Sequence, residues 1–130
     1  ADVVVAATPV FRGTFTGHFK HFFDLVGLDA LRGVPVILAA TGGGEKHCLV
    51  LEHGLRPLFG FLQAFTVPSG VYATDSDFED GKLTGSGVRT RILSAVEEVE
   101  SLLGGGVGRR RERSVDSAFR QLALSQSSVA

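Results

Sequence analysis

The sequence predicts an α/β domain: a parallel sheet with helices on both faces. Three observations carry that prediction. Two apolar runs, "DVVVAAT" and "VPVILAAT", are continuous rather than alternating and are rich in β-branched residues, as strands covered on both sides are. Apolar residues between and after them recur at helical spacing. The resulting order, β-α-β-α-β-α, is that of strands joined by crossover helices rather than by hairpins.

The elements follow in order. Asp2–Thr8 reads as the first strand. Phe15, Phe19, Phe22, Phe23 and Val26 then form a helical stripe, with Thr14 or Thr16 able to cap its start and Gly27 able to end it. Val34–Thr41 is the second strand and runs into Gly42–Gly44. Leu51, Leu55, Leu58, Phe59 and Leu62 mark a second helix, and Pro57 inside it predicts a kink or break near Glu52–His53. Ala64–Thr74 is a third strand, edge or bulged because Pro68 cannot donate to a ladder. Asp75–Gly87 reads as an acidic loop. The last helix should turn Val88, Ile92, Val96, Val99 and Leu103 inward.

The chain divides by composition. Residues 1–103 carry 8 Lys+Arg against 12 Asp+Glu and form the folded domain. Residues 104–130 open on glycines, carry five arginines against Glu112 and Asp116, and read as a flexible tail with a possible short helix at Val115–Leu124. The run "RRRER" has the charge for nucleic acid or acidic lipid, but a solubilising end is the simpler reading, so neither is expected as a partner. No apolar run reaches the length of a membrane span. The single cysteine, Cys48, excludes an internal disulfide, fits a cytoplasmic protein and is expected as a small buried thiol. With no methionine and a strand at its start, the sequence is expected to be part of a longer domain.

Parallel sheets bind ligands at the carboxyl ends of their strands. Two loops lie there. After the first strand, Pro9 keeps the chain extended and brings Val10, Phe11 and Arg12 to the rim of the sheet, where an aromatic ring offers a stacking surface. After the second, Thr41-Gly42-Gly43-Gly44 lets backbone N–H groups approach a phosphate or the edge of a flat heterocycle, although a flexible turn would use the same residues. The spacing is that of neither a dinucleotide fingerprint nor a P-loop. His47 opens the next helix beside the glycines and could touch the same ligand. His18, His21 and Asp24 fall at i, i+3 and i+6, but opposite the phenylalanines, which makes solvated side chains the better reading than a metal site. "DSDFEDG" lacks the bidentate glutamate of a calcium loop.

Beyond pattern, the segments "ADVVVAATPVFRGTFTGHFKHFFDLV", "ALRGVPVILAATGGGEKHCLVLEHGLRPLFGFLQA" and "GVYAT" resemble the NAD(P)H-dependent FMN reductases over residues 1–103. These are flavodoxin-like flavin reductases that supply reduced FMN to two-component monooxygenases. The resemblance implies a flavodoxin-like fold with FMN and NAD(P)H as cofactors. It implies hydride transfer from nicotinamide to the flavin N5, and a homodimer or homotetramer joined through the Leu49–Leu62 helix. It places Pro9, Val10, Phe11 and Arg12 beside the isoalloxazine ring, and Thr41, Gly42 and Gly43 at its pyrimidine edge. No protein acid or base is implied as catalytic, because the chemistry belongs to the cofactor. Phe11 replaces the family's commoner tyrosine, and His53 falls where alkanesulfonate-linked members carry a tyrosine. The family's first strand and phosphate-binding loop would precede Ala1, so residues 1–130 alone are expected to hold FMN weakly and to discriminate poorly between FMN and riboflavin. The alternatives are a flavin-binding or interaction module without turnover, and a quinone or azo reductase of the same fold.

Overall fold

A computed structural model describes residues 1–104, 120–122 and 124. The fold consists of β1 (Val4–Phe11), β2 (Thr14–Phe15), α1 (Gly17–Asp24), β3 (Pro35–Gly42), a 3-10 turn (Glu45–His47), a π-helical segment (Leu51–Leu55) continuing into α2 (Arg56–Phe61), β4 (Phe65–Thr66), β5 (Val71–Thr74), a 3-10 turn (Asp75–Asp77), the pair β6 (Phe78–Glu79) and β7 (Lys82–Leu83), and α3 (Ser86–Gly104). The chain forms two compact units, Ala1–Val99 and Glu100–Ala130. In the second unit residues 120–122 and 124 are helical and exposed. The basic run and the rest of the expected Val115–Leu124 helix lie outside the described residues.

The sheet of the first unit is parallel at its centre. β3 pairs in parallel with β1 on one side and with β4 and β5 on the other. Even-numbered residues of these strands, Ala6, Val36, Leu38 and Ala40, join Phe23, Val50, Leu51, Leu55, Phe59 and Leu62 in one core on the α1 and α2 face. On the other face Ile37, Val71 and Ala73 are buried, whereas Val5 is 65% exposed. This is the flavodoxin-like class that the sequence predicts.

α1 is capped by Thr16, whose hydroxyl accepts the Phe19 N–H at 3.1 Å. Its buried stripe is narrower than expected. Phe15, Phe19 and Phe23 stack towards Phe59, but Phe22 lies on the outer flank, 62% exposed, with its ring edge against Phe23. Gly27 does not end the helix: Leu25, in right-handed conformation, closes it. The irregularity expected near Glu52–His53 is a π-helical turn, and Pro57, which has no N–H to donate to the preceding turn, follows it as the second residue of α2.

The third strand is split at Pro68 into β4 and β5. The connecting residues are held from several sides. Arg56 donates to the carbonyls of Val67 (2.9 Å) and Pro68 (2.6 Å), Arg91 donates to that of Gly70 (3.1 Å), and Glu98 accepts from Ser69.

Three further expectations are corrected. α3 buries Val88, Ala95 and Val99, while Ile92, Val96 and Leu103 are exposed, because Ala95 rather than Ile92 follows Val88 on the inward face, two turns on. Cys48 is exposed, since it closes the 3-10 turn instead of entering the core. The acidic loop contains a hairpin: Asp80 and Gly81 both have positive φ, the mirror-image turn that an Asp-Gly pair favours.

Candidate functional site

The two loops singled out in the sequence meet at one end of the sheet. Pro9 of β1 is in register with Thr41 of β3, the last pair of a six-pair parallel ladder. Beyond that pair the strands part. β1 continues through Val10 and Phe11 into a tight hairpin with Thr14 and Phe15, turning on Arg12 and Gly13, both with positive φ. The hairpin is tied to the sheet by Thr8, whose buried hydroxyl accepts the Thr16 N–H at 3.3 Å and donates to the Pro9 carbonyl at 2.8 Å. Phe11 projects from the rim and is 65% exposed. Nothing in the core claims its ring.

β3 continues into the glycines, and the three differ. A Cβ on Gly42 would overlap the Tyr72 hydroxyl oxygen, so a side chain at this position would have to displace Tyr72. A Cβ on Gly43 would meet only Asp75 Oδ2 at 3.9 Å, and one on Gly44 would meet nothing within 4 Å. The backbone of Gly43 and Gly44 is therefore open to a ligand. Tyr72 sets the loop's position: its hydroxyl donates to the Gly44 carbonyl at 2.7 Å. Burial raises the Tyr72 pKa, and Cys48 and Glu45 raise it further, which favours the protonated hydroxyl that donates to Gly44. Tyr72 is the chain's only tyrosine and lies in β5, the strand whose Ala73 and Thr74 pair with Thr41 and Gly42; that uniqueness was its one signal in the sequence.

Ala7, Pro9, Ala39 and Thr41 floor a shallow, mainly apolar hollow at this end of the sheet. Their small side chains leave the strand ends open. A flat ring system fits this setting: an apolar floor, an exposed aromatic ring and glycine backbone without Cβ atoms.

His47 ends the 3-10 turn that follows the glycines and is exposed. It lines a second hollow with Lys46, His53, Gly13 and Thr14. The hairpin and the π-helical segment touch closely here, since a Cβ on Gly54 would lie 3.1 Å from Thr14 Oγ1. His18 and His21 are exposed on α1, away from both loops in sequence, with Lys20 and Asp24 paired between turns.

The family model for NADPH-dependent FMN reductase matches residues 1–79. An NADH-dependent FMN reductase of Pseudomonas putida, SfnE, is 55% identical over 104 residues, covering 80% of this chain and 56% of its own length. An FMN reductase (NADPH) of Pseudomonas aeruginosa is 50% identical over 105 residues, covering 81% and 56%. The crystal structure of an oxidoreductase from Corynebacterium diphtheriae superposes with a TM-score of 0.71 at 46% identity, covering 78% of this chain and 55% of that one. The chain spans little more than half the length of the relatives it matches.

Proposed function

This chain belongs to the NADPH-dependent FMN reductase family, and on that premise we propose that it serves the NAD(P)H-dependent reduction of FMN. The observation that carries the proposal is the pairing of Pro9 with Thr41, which sets an exposed aromatic loop beside an open glycine loop. Bound flavin supplies the redox chemistry, accepting hydride from the nicotinamide. The chain's residues supply position. Phe11, with Pro9, Val10 and Arg12, borders the ring on one side. Thr41, Gly43 and Gly44 offer backbone N–H groups to its polar edge, where donors aimed at developing negative charge favour the reduced state. Gly42 acts through Tyr72, keeping the loop in place.

The reading covers both NADH and NADPH, since relatives named for each are similar to the chain. Delivery of reduced flavin to a flavin-dependent monooxygenase belongs to the same proposal. So does assembly into a homodimer or homotetramer through the Leu49–Leu62 segment, where Leu49 and Phe61 are exposed. An anaerobic titration tests the reading. Addition of NADH or NADPH to the protein with FMN is expected to bleach the visible flavin absorbance faster than in protein-free FMN. Flavin binding with no acceleration by either nucleotide would point instead to a binding module without turnover.

A further inference from the structure

Two hairpins of this chain turn on the same backbone with different residues. In the first, Phe11 pairs with Thr14 across Arg12 and Gly13, at φ of 54° and 94°. In the second, Glu79 pairs with Lys82 across Asp80 and Gly81, at φ of 49° and 73°. Both are two-residue turns of the mirror-image kind. Their first position favours Asn, Asp or Gly, because a longer side chain crowds the backbone in the left-handed region. The second hairpin follows that preference. The first, at the ligand end of the sheet, departs from it. Gln63, the remaining non-glycine residue at positive φ among the described residues, has a local reason: it follows α2, where its N–H reaches the Gly60 carbonyl and its carbonyl accepts the Gly33 N–H at 2.9 Å.

A residue held in a disfavoured backbone region at a site points to a use for its side chain. The fold itself makes no use of this one. Arg12 is exposed and does not line the hollow against the π-helical segment. The other arginines of Ala1–Val99 are all engaged: Arg32 pairs with Asp29, Arg56 with Glu52, and Arg89 and Arg91 donate to the carbonyls of Leu83 and Gly70. Arg12 has neither an ion pair nor a side-chain hydrogen bond among the described residues. Across the rim the charge beside Gly43 is of the opposite sign, since a Cβ there would meet Asp75 Oδ2 at 3.9 Å.

We propose that Arg12 is a specificity-determining residue that holds a phosphate of the nicotinamide nucleotide while the nicotinamide meets the ring seated between the two loops. The proposal rests on the ring-side reading above and adds to it a contact for the hydride donor. A guanidinium is always charged and presents a fork of N–H donors that matches a phosphate. The oxidised flavin ring is neutral and needs no cation at the rim. The dinucleotide carries its negative charge on phosphates, and these extend past the ring, because the nicotinamide itself has to lie on it. The hairpin tip offers them Arg12, whereas on the glycine side Asp75 repels them.

The test is calorimetry on the 130-residue chain and its Arg12→Asn and Arg12→Lys variants, with NAD⁺, NADP⁺, nicotinamide riboside and riboflavin, together with thermal unfolding. The oxidised nucleotides carry the same phosphates without transferring hydride. Arg12→Asn gives the turn a residue it prefers, so the melting temperature is expected to hold or to rise by a few degrees. Affinity for at least one dinucleotide should nevertheless fall about tenfold, with the riboside and riboflavin unchanged. Arg12→Lys should fall between the two, keeping the charge without the fork. Added salt should weaken dinucleotide binding more in the parent than in Arg12→Asn. Equal loss for NAD⁺ and NADP⁺ assigns the contact to the diphosphate bridge, and loss for NADP⁺ alone to the 2′-phosphate. Dinucleotide binding that depends on Arg12, without riboflavin binding, keeps the phosphate contact and removes the ring-side reading. Four results overturn the proposal: unchanged dinucleotide affinity in Arg12→Asn, an equal loss for the riboside or riboflavin, a lowered melting temperature with every affinity reduced, or no binding of either dinucleotide by the parent with riboflavin present.

Discussion

The Tyr72 hydroxyl lies where a Gly42 side chain would begin: an added Cβ would overlap its oxygen and come within 3.3 Å of the ring carbon that carries it. From there the hydroxyl reaches the Gly44 carbonyl. One contact therefore fixes both ends of the glycine loop. We expect Gly42→Ala to displace Tyr72, break that hydrogen bond and cost about 1–3 kcal/mol, as overpacking does. In a Tyr72→Phe background the overlap with oxygen is gone and the cost should be smaller. A double-mutant cycle by denaturant unfolding measures the coupling. Equal costs in the two backgrounds would show that the contact does not govern this position.

Gly43 should behave differently. Its added Cβ meets only Asp75 at van der Waals distance. Gly43→Val is expected to fold, yet to abolish flavin binding, since a branched side chain stands between the backbone and the ring. Circular dichroism and flavin titration on one sample read both effects. Unchanged affinity in the folded variant would remove Gly43 from the site.

Phe11 has no place in the core, being 65% exposed at the rim. Phe11→Ala should therefore leave stability within about 0.5 kcal/mol of the parent, as surface substitutions do. Flavin affinity should fall by about 1–3 kcal/mol, the range for a buried aromatic surface. Melting temperature and affinity, measured together, check the two halves. A large drop in melting temperature with affinity spared would make Phe11 a structural residue.

Glu98 is the group whose titration should touch stability. Its carboxylate accepts the Ser69 N–H at 2.9 Å and the Ser69 hydroxyl at 2.7 Å, and these bonds, first the backbone one, hold its pKa below the usual value. A lowered folded pKa stabilises above the unfolded pKa and is lost as pH falls through the folded one. Glu98→Gln should thus cost about 1 kcal/mol at neutral pH and flatten the loss of stability on acidification. Denaturant unfolding at neutral and acid pH tests this; parallel pH profiles for parent and variant would count against it.

Much of this molecule was legible because its signals are local. β1 and β3 lie on continuous apolar runs rich in β-branched residues, and the Phe15, Phe19, Phe23 stripe has helical period, so each element's type followed from neighbours in the chain. Pro57 and Pro68 marked the π-helical irregularity and the split third strand, because a missing N–H constrains the backbone wherever it falls. The adjacency of the two loops also followed, since consecutive parallel strands tend to be neighbours. The two hairpin turns were overlooked for a different reason. Arg12-Gly13 and Asp80-Gly81 are local turn signals, but the returning strand of each hairpin has only two residues, too few to show a period.

What only the tertiary structure decided is who faces whom. Which of three glycines needs to be glycine depends on Tyr72, 30 residues away in the chain, and on a side-chain direction that no spacing records. The inward face of α3 was misjudged because hydrophobic spacing leaves a helix's rotation loose by about one residue, and the partners that set it, Ser69 and Gly70, lie in a separate loop. The gathering of Lys46, His47 and His53 around one hollow likewise needs the π-helical turn and the Gly13-Thr14 turn in place. Sequence determines the elements through short-range backbone physics; the site comes from side chains brought together across the sheet, whose mutual distances exist only once the chain has folded.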